Sequence, residues 1–301
     1  MIGTTSPIPA VEPGRGPSGA AGAVRIPELG TIAFCLLSWK AHATLRHTLS
    51  TFAGAGILDL FAERKIFFNE IDETDRALAG EFGFEALGSP VNVGIFGGVD
   101  RLAASVQSRH ILFVENDCPI ATTREGLLAM TRSALADMDQ LDIPVFLMRS
   151  RREPGEPFWR RERYERRFRL IEPLGSGRRF PAPPLWRRLY EDLRKPTMRG
   201  GSIYAEEIPS ERHPAVVSRS ANGNWITTSQ HLSWSNCCYL VRRDFLRDVV
   251  LARVRSHPSP IQLNGHQDIE AAMKHDRWWR RQRFPMGQSE PGPFTHVRLD
   301  R

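Results

Sequence analysis

At 301 residues, with 41% hydrophobic and 25% charged side chains, the chain has an ordinary globular composition, large enough for one sizeable α/β domain with insertions. Its formal net charge of +7 favours anionic partners such as nucleotide diphosphates, acidic lipids, charged polysaccharide or nucleic acid, without choosing among them. No run is long and apolar enough to span a bilayer, and no signal-peptide core stands near Met1, so the sequence predicts a cytoplasmic protein.

Residues 1–29, rich in Pro, Gly, Ser and Ala, predict a disordered leader ahead of a single domain over 30–301. The apolar run TIAFCLL from Thr31 predicts a buried strand. Leu45, Leu49 and Phe52 share one helical face, and Ala-Gly-Ala-Gly at 53–56 stops that helix. Lys65 to Phe68 reads as a second strand and 72–82 as a short acidic helix. Val91 to Gly98 reads as a glycine-rich turn opening a helix over 99–107. A third strand follows at Ile111 to Val114, a helix at Thr123 to Met138, and a fourth strand at Ile143 to Met148. Such alternation implies parallel βαβ units with right-handed crossovers. Ligands on these sheets sit beyond the carboxyl ends of the strands. Ser38, Asn69-Glu70 and Glu115-Asn116-Asp117 all fall there, which predicts one shared site.

The pattern breaks at Arg149, where a stretch dense in arginine and aromatics begins and Pro-rich runs follow. It reads as an insertion over 151–200 between a first half, 30–150, and a second half, 201–301. Glu153, Glu156, Glu162 and Glu165 are interleaved among the arginines and predict ion pairs on a solvated helix. The rival is a basic module binding nucleic acid or a membrane surface, with Trp159, Tyr164 and Phe168 stacking on bases. No nucleic-acid signature stands elsewhere, so nucleic acid is the disfavoured partner and peripheral contact with anionic lipid or polysaccharide the favoured one. Ser235 to Arg243 predicts a strand, Asp244 to Val254 a helix capped by Asp244, and the segment from Gly265 another helix with Asp268 and Glu270 near its start. Trp278-Trp279 is either core or a platform for an acceptor sugar. Cys35, Cys118, Cys237 and Cys238 lack C-x-x-C spacing; they predict packed thiols in a reducing compartment, not a zinc site.

The sharpest chemical feature is Glu115-x-Asp117 after an apolar strand. Two carboxylates so spaced can reach one Mg²⁺ or Mn²⁺, which offsets charge on a leaving diphosphate; a solvated turn is the alternative. The run Asn92 to Asp117 (NVGIFGGVDRLAASVQSRHILFVEND) resembles the core signature of GT-A fold glycosyltransferases, especially the family 2 type. In that family an Asn-x-Gly turn opens a helix of small residues and the next strand delivers an Asp-x-Asp motif. Phe68 to Asp75 (FNEIDETD) is similar to the family's nucleoside-reading turn, Ser235 to Phe245 to its acceptor-side strand, and His266 to Glu270 (HQDIE) to the helix start bearing its catalytic base. The metal motif departs from the pattern as Glu-Asn-Asp, the nucleoside turn as Asn-Glu, and the first strand ends Leu-Ser-Trp-Lys.

The resemblance implies a GT-A, α/β fold with a mostly parallel central sheet flanked by helices. It implies transfer of a sugar, with inversion, from a nucleotide-sugar donor to a saccharide or lipid-linked acceptor. Glu115 and Asp117 would then hold the metal, helped by His296 in the terminal GPFTH segment. Ser38, Lys40, Asn69, Glu70, Asn92, Gly94 and Arg101 would hold the donor, with Asp268 as base and Glu270 as the second choice. For Lys40 and Arg101 the default in so basic a chain is a surface role. A metal-dependent nucleotidyltransferase remains the nearest alternative, because it too uses strand-end carboxylates.

Overall fold

A computed structural model describes residues 28–156, 158–168, 197–275 and 277–299. Strand β1 (Ile32–Ser38) is buried along its whole length, as a strand covered on both faces must be. Successive side chains alternate: Phe34 and Leu36 enter one core, Cys35 and Leu37 the other. Helix α1 (His42–Gly54) buries Leu45, Leu49 and Phe52, the face read from the sequence. Then come β2 (Glu63–Asn69), α2 (Glu73–Glu81), β3 (Glu85–Ser89), α3 (Gly94–Ser105), β4 (His110–Glu115), α4 (Arg124–Gln140) and β5 (Val145–Leu147). A reciprocal box between Asp72 and Asp75 starts α2, and Thr123 caps α4 by accepting from Gly126 N at 3.2 Å.

After α5 (Trp159–Phe168) and a group of one-turn helices between Thr197 and Arg212, the second half adds β6 (Ser218–Arg219), β7 (Trp225–Thr228) and β8 (Cys238–Arg242). A π-helical stretch, Phe245–Leu251, follows behind the Asp244 cap and runs into Ala252–Ser256. The hairpin β9 (Gln262–Leu263) and β10 (His266–Gln267), the helices Ile269–His275 and Trp278–Gln282, and β11 (Pro285–Gln288) complete the described chain.

The nine-stranded sheet has the order β3-β2-β1-β4-β8-β5-β11-β7-β6. Only β8 and β7 run against the main direction, so the sheet is the mostly parallel one the α/β reading requires. Its two faces carry separate cores, one around Phe113, Tyr239, Trp234 and Trp279, the other around Phe34, Phe52, Leu112 and Phe294.

Several elements differ from the sequence reading. Strand β3 was not anticipated: Glu-Ala-Leu-Gly-Ser has no β-branched residue, and it pairs at the sheet edge through its backbone with β2. Helix α3 begins at Gly94 and absorbs most of the supposed glycine turn. Three glycines there, Gly94, Gly97 and Gly98, oppose helix propensity, but Gly98 lies against Leu37 and Phe67, where a Cβ has no room. Of the supposed leader, Leu29 is buried and its N–H donates to Leu60 O at 2.8 Å, while the exposed Glu28 pairs with Arg124 and Arg132. Residues 1–27 of that leader and the insertion's segment 169–196 lie outside the described residues. Within α5, Arg161 pairs with Glu165, as the charge pattern predicts. Tyr164 is not available to stack on a base. It is buried, with its hydroxyl bonded to Glu206 at 2.7 Å and to His213 at 3.0 Å. Trp279 is core, with Trp278 packed against it. No described helix is long and apolar enough to cross a membrane.

His110, at the end of β4 remote from the strand-end site, is 4% exposed, and neither ring nitrogen has a hydrogen-bond partner among the described residues. Burial, with Arg109 adding to it, lowers its pKa below the ordinary histidine value. The neutral ring is therefore favoured in the fold. As pH falls through about 6.5 the unfolded chain takes up the proton first, costing about 1.4 kcal/mol per pH unit until the folded histidine titrates. Urea denaturation between about pH 7 and pH 5 should show a shallower loss of stability in His110→Leu than in wild type. Equal slopes would refute this role.

Candidate active site

The carboxyl ends of β1, β2 and β4 open on one cavity of about 530 Å³. Ser38, Asn69, Asn92, Gly94, Glu115, Asp117 and His296 line it, so seven of the residues singled out from the sequence meet at one place. Glu115 ends β4 and Asp117 follows in a tight turn, where Cys118 N–H donates to Glu115 O at 3.2 Å. The turn is held from the far end of the chain. Val297 N–H donates to Asp117 O at 2.8 Å, and His296 Nε2 lies 3.2 Å from Asp117 Oδ2. The other ring nitrogen of His296 faces Glu156 O at 2.8 Å, which fixes the imidazole between two acceptors.

The two carboxylates differ in electrostatics. Burial and the neighbouring Asp117 push the Glu115 carboxyl well above its usual range, with Cys237, Glu270 and Asp268 adding to the effect. Burial also pushes Asp117 upward, but the His296 hydrogen bond and charge and the Arg298 charge outweigh it and leave Asp117 below its usual value. His296 is raised in turn, first by its bond to Asp117. Ligand atoms of Glu115, Asp117 and Cys118 lie within 4.8 Å of one another. Hard carboxyl oxygens in one turn, with Glu115 lacking a cationic partner that would favour its ionised form, fit a divalent cation such as Mn²⁺ or Mg²⁺.

Asp268 and Glu270 do not line the cavity, yet both turn toward the start of β8. Asp268 accepts from Asn236 Nδ2 at 2.6 Å and, through its other oxygen, from Ala271 N–H at 2.9 Å, capping the helix Ile269–His275. Glu270 accepts from Asn236 N–H at 3.0 Å and from Lys274 at 2.5 Å. Residues two apart within a helix diverge, but Asp268 precedes this helix, so both carboxylates grip one asparagine.

Lys40, Glu70 and Arg101 also lie outside the cavity wall. Lys40 pairs with Asp72 at 2.9 Å and donates to Glu70 O at 2.8 Å. The Glu70 carboxylate accepts from Trp39 Nε1 at 2.9 Å. These bonds clasp the turns after β1 and β2 together. Arg101 is exposed on α3 and lies over the Phe67 ring. Asn69 and Asn92 line the cavity but also build it: Asn69 Oδ1 accepts from Val93 N–H and Asn92 Oδ1 from Gly94 N–H, both at 2.8 Å.

Sequence reasoning placed Asn116 in the wall but missed Trp39, Asn264, His266 and Arg298 there, and Asn236 behind it. Only one carries a local signal. Asn264-Gly265, both with positive φ, is the Asn-Gly turn that joins β9 to β10 and hangs this hairpin over the cavity.

No family model matches the chain. No curated protein matches it either. Solved structures similar to it include Staphylococcus aureus TarS 1-349 in complex with UDP-GlcNAc, at 12% identity and a TM-score of 0.47, covering 90% of this chain and 59% of that one. Another is glucosyl-3-phosphoglycerate synthase from Mycobacterium tuberculosis in complex with Mn²⁺, UDP and glucosyl-3-phosphoglycerate, at 13% identity and 0.44, covering 90% and 73%. A third is the mannosyltransferase PcManGT from Pyrobaculum calidifontis in complex with GDP-Man and Mn²⁺, at 6% and 0.33, covering 39% and 34%. The chain thus spans about three-fifths of TarS 1-349. These neighbours are GT-A glycosyltransferases. At such identities the likeness is one of fold alone.

Gly94 has a φ of +70°, and a Cβ built there would overlap the His266 side chain. Gly94→Ala should therefore destabilise the protein by about 1–3 kcal/mol and displace the hairpin from the cavity wall. Denaturation, together with proteolysis of the hairpin tip, checks this; a variant of wild-type stability and protease resistance would contradict it.

Proposed function

We propose that the chain is a glycosyltransferase that takes a sugar from a nucleotide-diphosphate donor bound at the strand-end cavity, with a divalent metal, and passes it to an acceptor hydroxyl. One observation carries the reading. A turn bearing two carboxyl groups, Glu115-Asn116-Asp117, lies at the carboxyl end of a central strand beside a histidine and an arginine from the chain's last segment. A diphosphate alone would be repelled by Glu115 and Asp117; a diphosphate bridged to them through Mn²⁺ or Mg²⁺ would be held. When bound, that ion neutralises charge on the leaving diphosphate.

The chain's own residues do the rest. Glu115 and Asp117 would hold the ion, His296 would join them only in its neutral form with its bond to Asp117 given up, and Arg298 at the rim would meet phosphate oxygens. Ser38, Asn69 and Asn92 line the cavity and would bind the donor, with Glu70 and Lys40 fixing the turns that present them. Asp268 takes the proton from the attacking acceptor hydroxyl, and Asn236 sets its orientation. An ionised carboxylate has about four lone-pair sites, so its two present hydrogen bonds leave capacity for the proton. Displacement by a hydroxyl opposite the leaving group inverts the anomeric centre.

Calorimetric titration of UDP and GDP with and without Mn²⁺ tests the donor site. Metal-dependent binding of one of them should vanish in Asp117→Ala. Binding of nucleoside triphosphate but of neither diphosphate would favour a nucleotidyltransferase, and salt-sensitive nucleic-acid binding alone would favour a non-catalytic protein. Once a donor is known, Asp268→Asn should keep donor affinity and lower kcat by about 10²–10⁴. A variant that keeps wild-type kcat would move the base elsewhere, Glu270 first.

A further inference from the structure

Cys118 and the vicinal pair Cys237-Cys238 are more than a hundred residues apart in sequence, yet their sulfurs converge. Cys118 Sγ lies 3.1 Å from Cys237 Sγ, and Cys237 Sγ lies 3.5 Å from Cys238 Sγ. All three sulfurs fall within 4.8 Å of one another, and all three residues are buried. The pairing of β4 with β8 causes the meeting, because Val114 sits opposite Cys238 and Glu115 N–H donates to Cys237 O. Vicinal residues within a strand point to opposite faces. Cys237 stands just before β8, and so it escapes that alternation and turns the same way as its neighbour.

We propose that Cys118, Cys237 and Cys238 form a binding site for a thiophilic metal ion of the class of Zn²⁺, Cd²⁺ and Cu⁺. Three thiols in one buried cluster are a soft donor set, and soft ligands select these ions over Mg²⁺ or Mn²⁺. Around a zinc ion with bonds of about 2.3 Å, tetrahedral thiolates stand roughly 3.8 Å apart, so the two separations from Cys237 have only to open by a fraction of an ångström. The alternative is that the thiols merely fill core space as small apolar groups, and in that case no ion binds. The site is separate in chemistry from the carboxylate pair, although Cys118 follows Asp117 directly and its Sγ lies 3.6 Å from Asp117 Oδ1. A hard ion at Glu115 and Asp117 and a soft ion at the thiols would therefore be neighbours across one peptide.

The test is anaerobic titration of Cd²⁺ into the reduced full-length protein, followed by the ultraviolet thiolate-to-cadmium charge-transfer band. We expect a band that saturates at one equivalent and persists in excess Mn²⁺. It should be lost in Cys118→Ser and in Cys237→Ser, and kept in Cys35→Ser, whose thiol is not in the cluster. Cys238→Ser, which like the other two leaves only two of the cluster's thiols, should lose the one-equivalent saturation as well; circular dichroism confirms that each variant is folded. A wild type without the band, or a band that survives Cys118→Ser, would overturn the site. So would two free thiols in place of four in the denatured, unreduced protein, since the cluster would then hold a disulfide.

Discussion

The whole site depends on β8 running antiparallel between β4 and β5. A parallel strand in that slot would enter at the bottom of the sheet and leave its first residues far from the carboxyl end of β4. Running the other way, β8 starts beside the end of β4 and delivers Asn236, Cys237 and Cys238 to the back of the Glu115–Asp117 turn. Asn236 in turn gathers Asp268 and Glu270 from the next helix. The final segment completes the enclosure through Val297 and His296. Four acidic side chains from two regions of sequence thereby share one neighbourhood, and a single reversal of strand direction is the cause.

That crowding works against the fold. Like charges within a few ångströms disfavour one another's ionised forms, and Glu115 shows it in a carboxyl pushed well above its usual range. A fold selected for stability alone would replace such a group by an apolar one, as burying an unpaired charge is costly. Asp117 escapes because His296 and Arg298 offset it, so the pair is asymmetric: one carboxylate is compensated by protein and the other is not. Strain of this electrostatic kind concentrates where a ligand relieves it.

The sheet and its strand-end turns were legible in the sequence for a simple reason. β1, β2 and β4 are continuous apolar runs, and the polar residues ending them fall at the sheet's carboxyl edge by the geometry of parallel βαβ units alone. Edge strand β3 was not legible, since its residues have no strand preference and only β2 holds it there. Gly94 and Gly98 misled in another way: glycine signals a turn, but here it permits a helix to enter at positive φ and to lie close on Leu37 and Phe67. The thiol cluster was illegible because cysteine spacing reports only local pairs, and this meeting is made across the sheet. Asp268 and Glu270 converge on Asn236 because Asp268 lies just ahead of the helix that holds Glu270, a boundary that residue pattern alone does not fix.

The cations are the instructive case. Lys40 and Arg101 were natural choices for an anionic ligand in a chain of net charge +7, and neither lines the cavity. Lys40 is held by Asp72 and by the Glu70 carbonyl, and Arg101 lies over Phe67. The positive groups that do face the cavity, His296 and Arg298, come from the terminal segment, beside the entry of α3 at Gly94. Many of the remaining arginines are engaged elsewhere, as Arg151 is with Glu290 and Arg161 with Glu165. Net charge thus says little about the site. What matters for a phosphate is which cations are left facing inward once the fold's own carboxylates have been matched, and only the three-dimensional pairing reveals that.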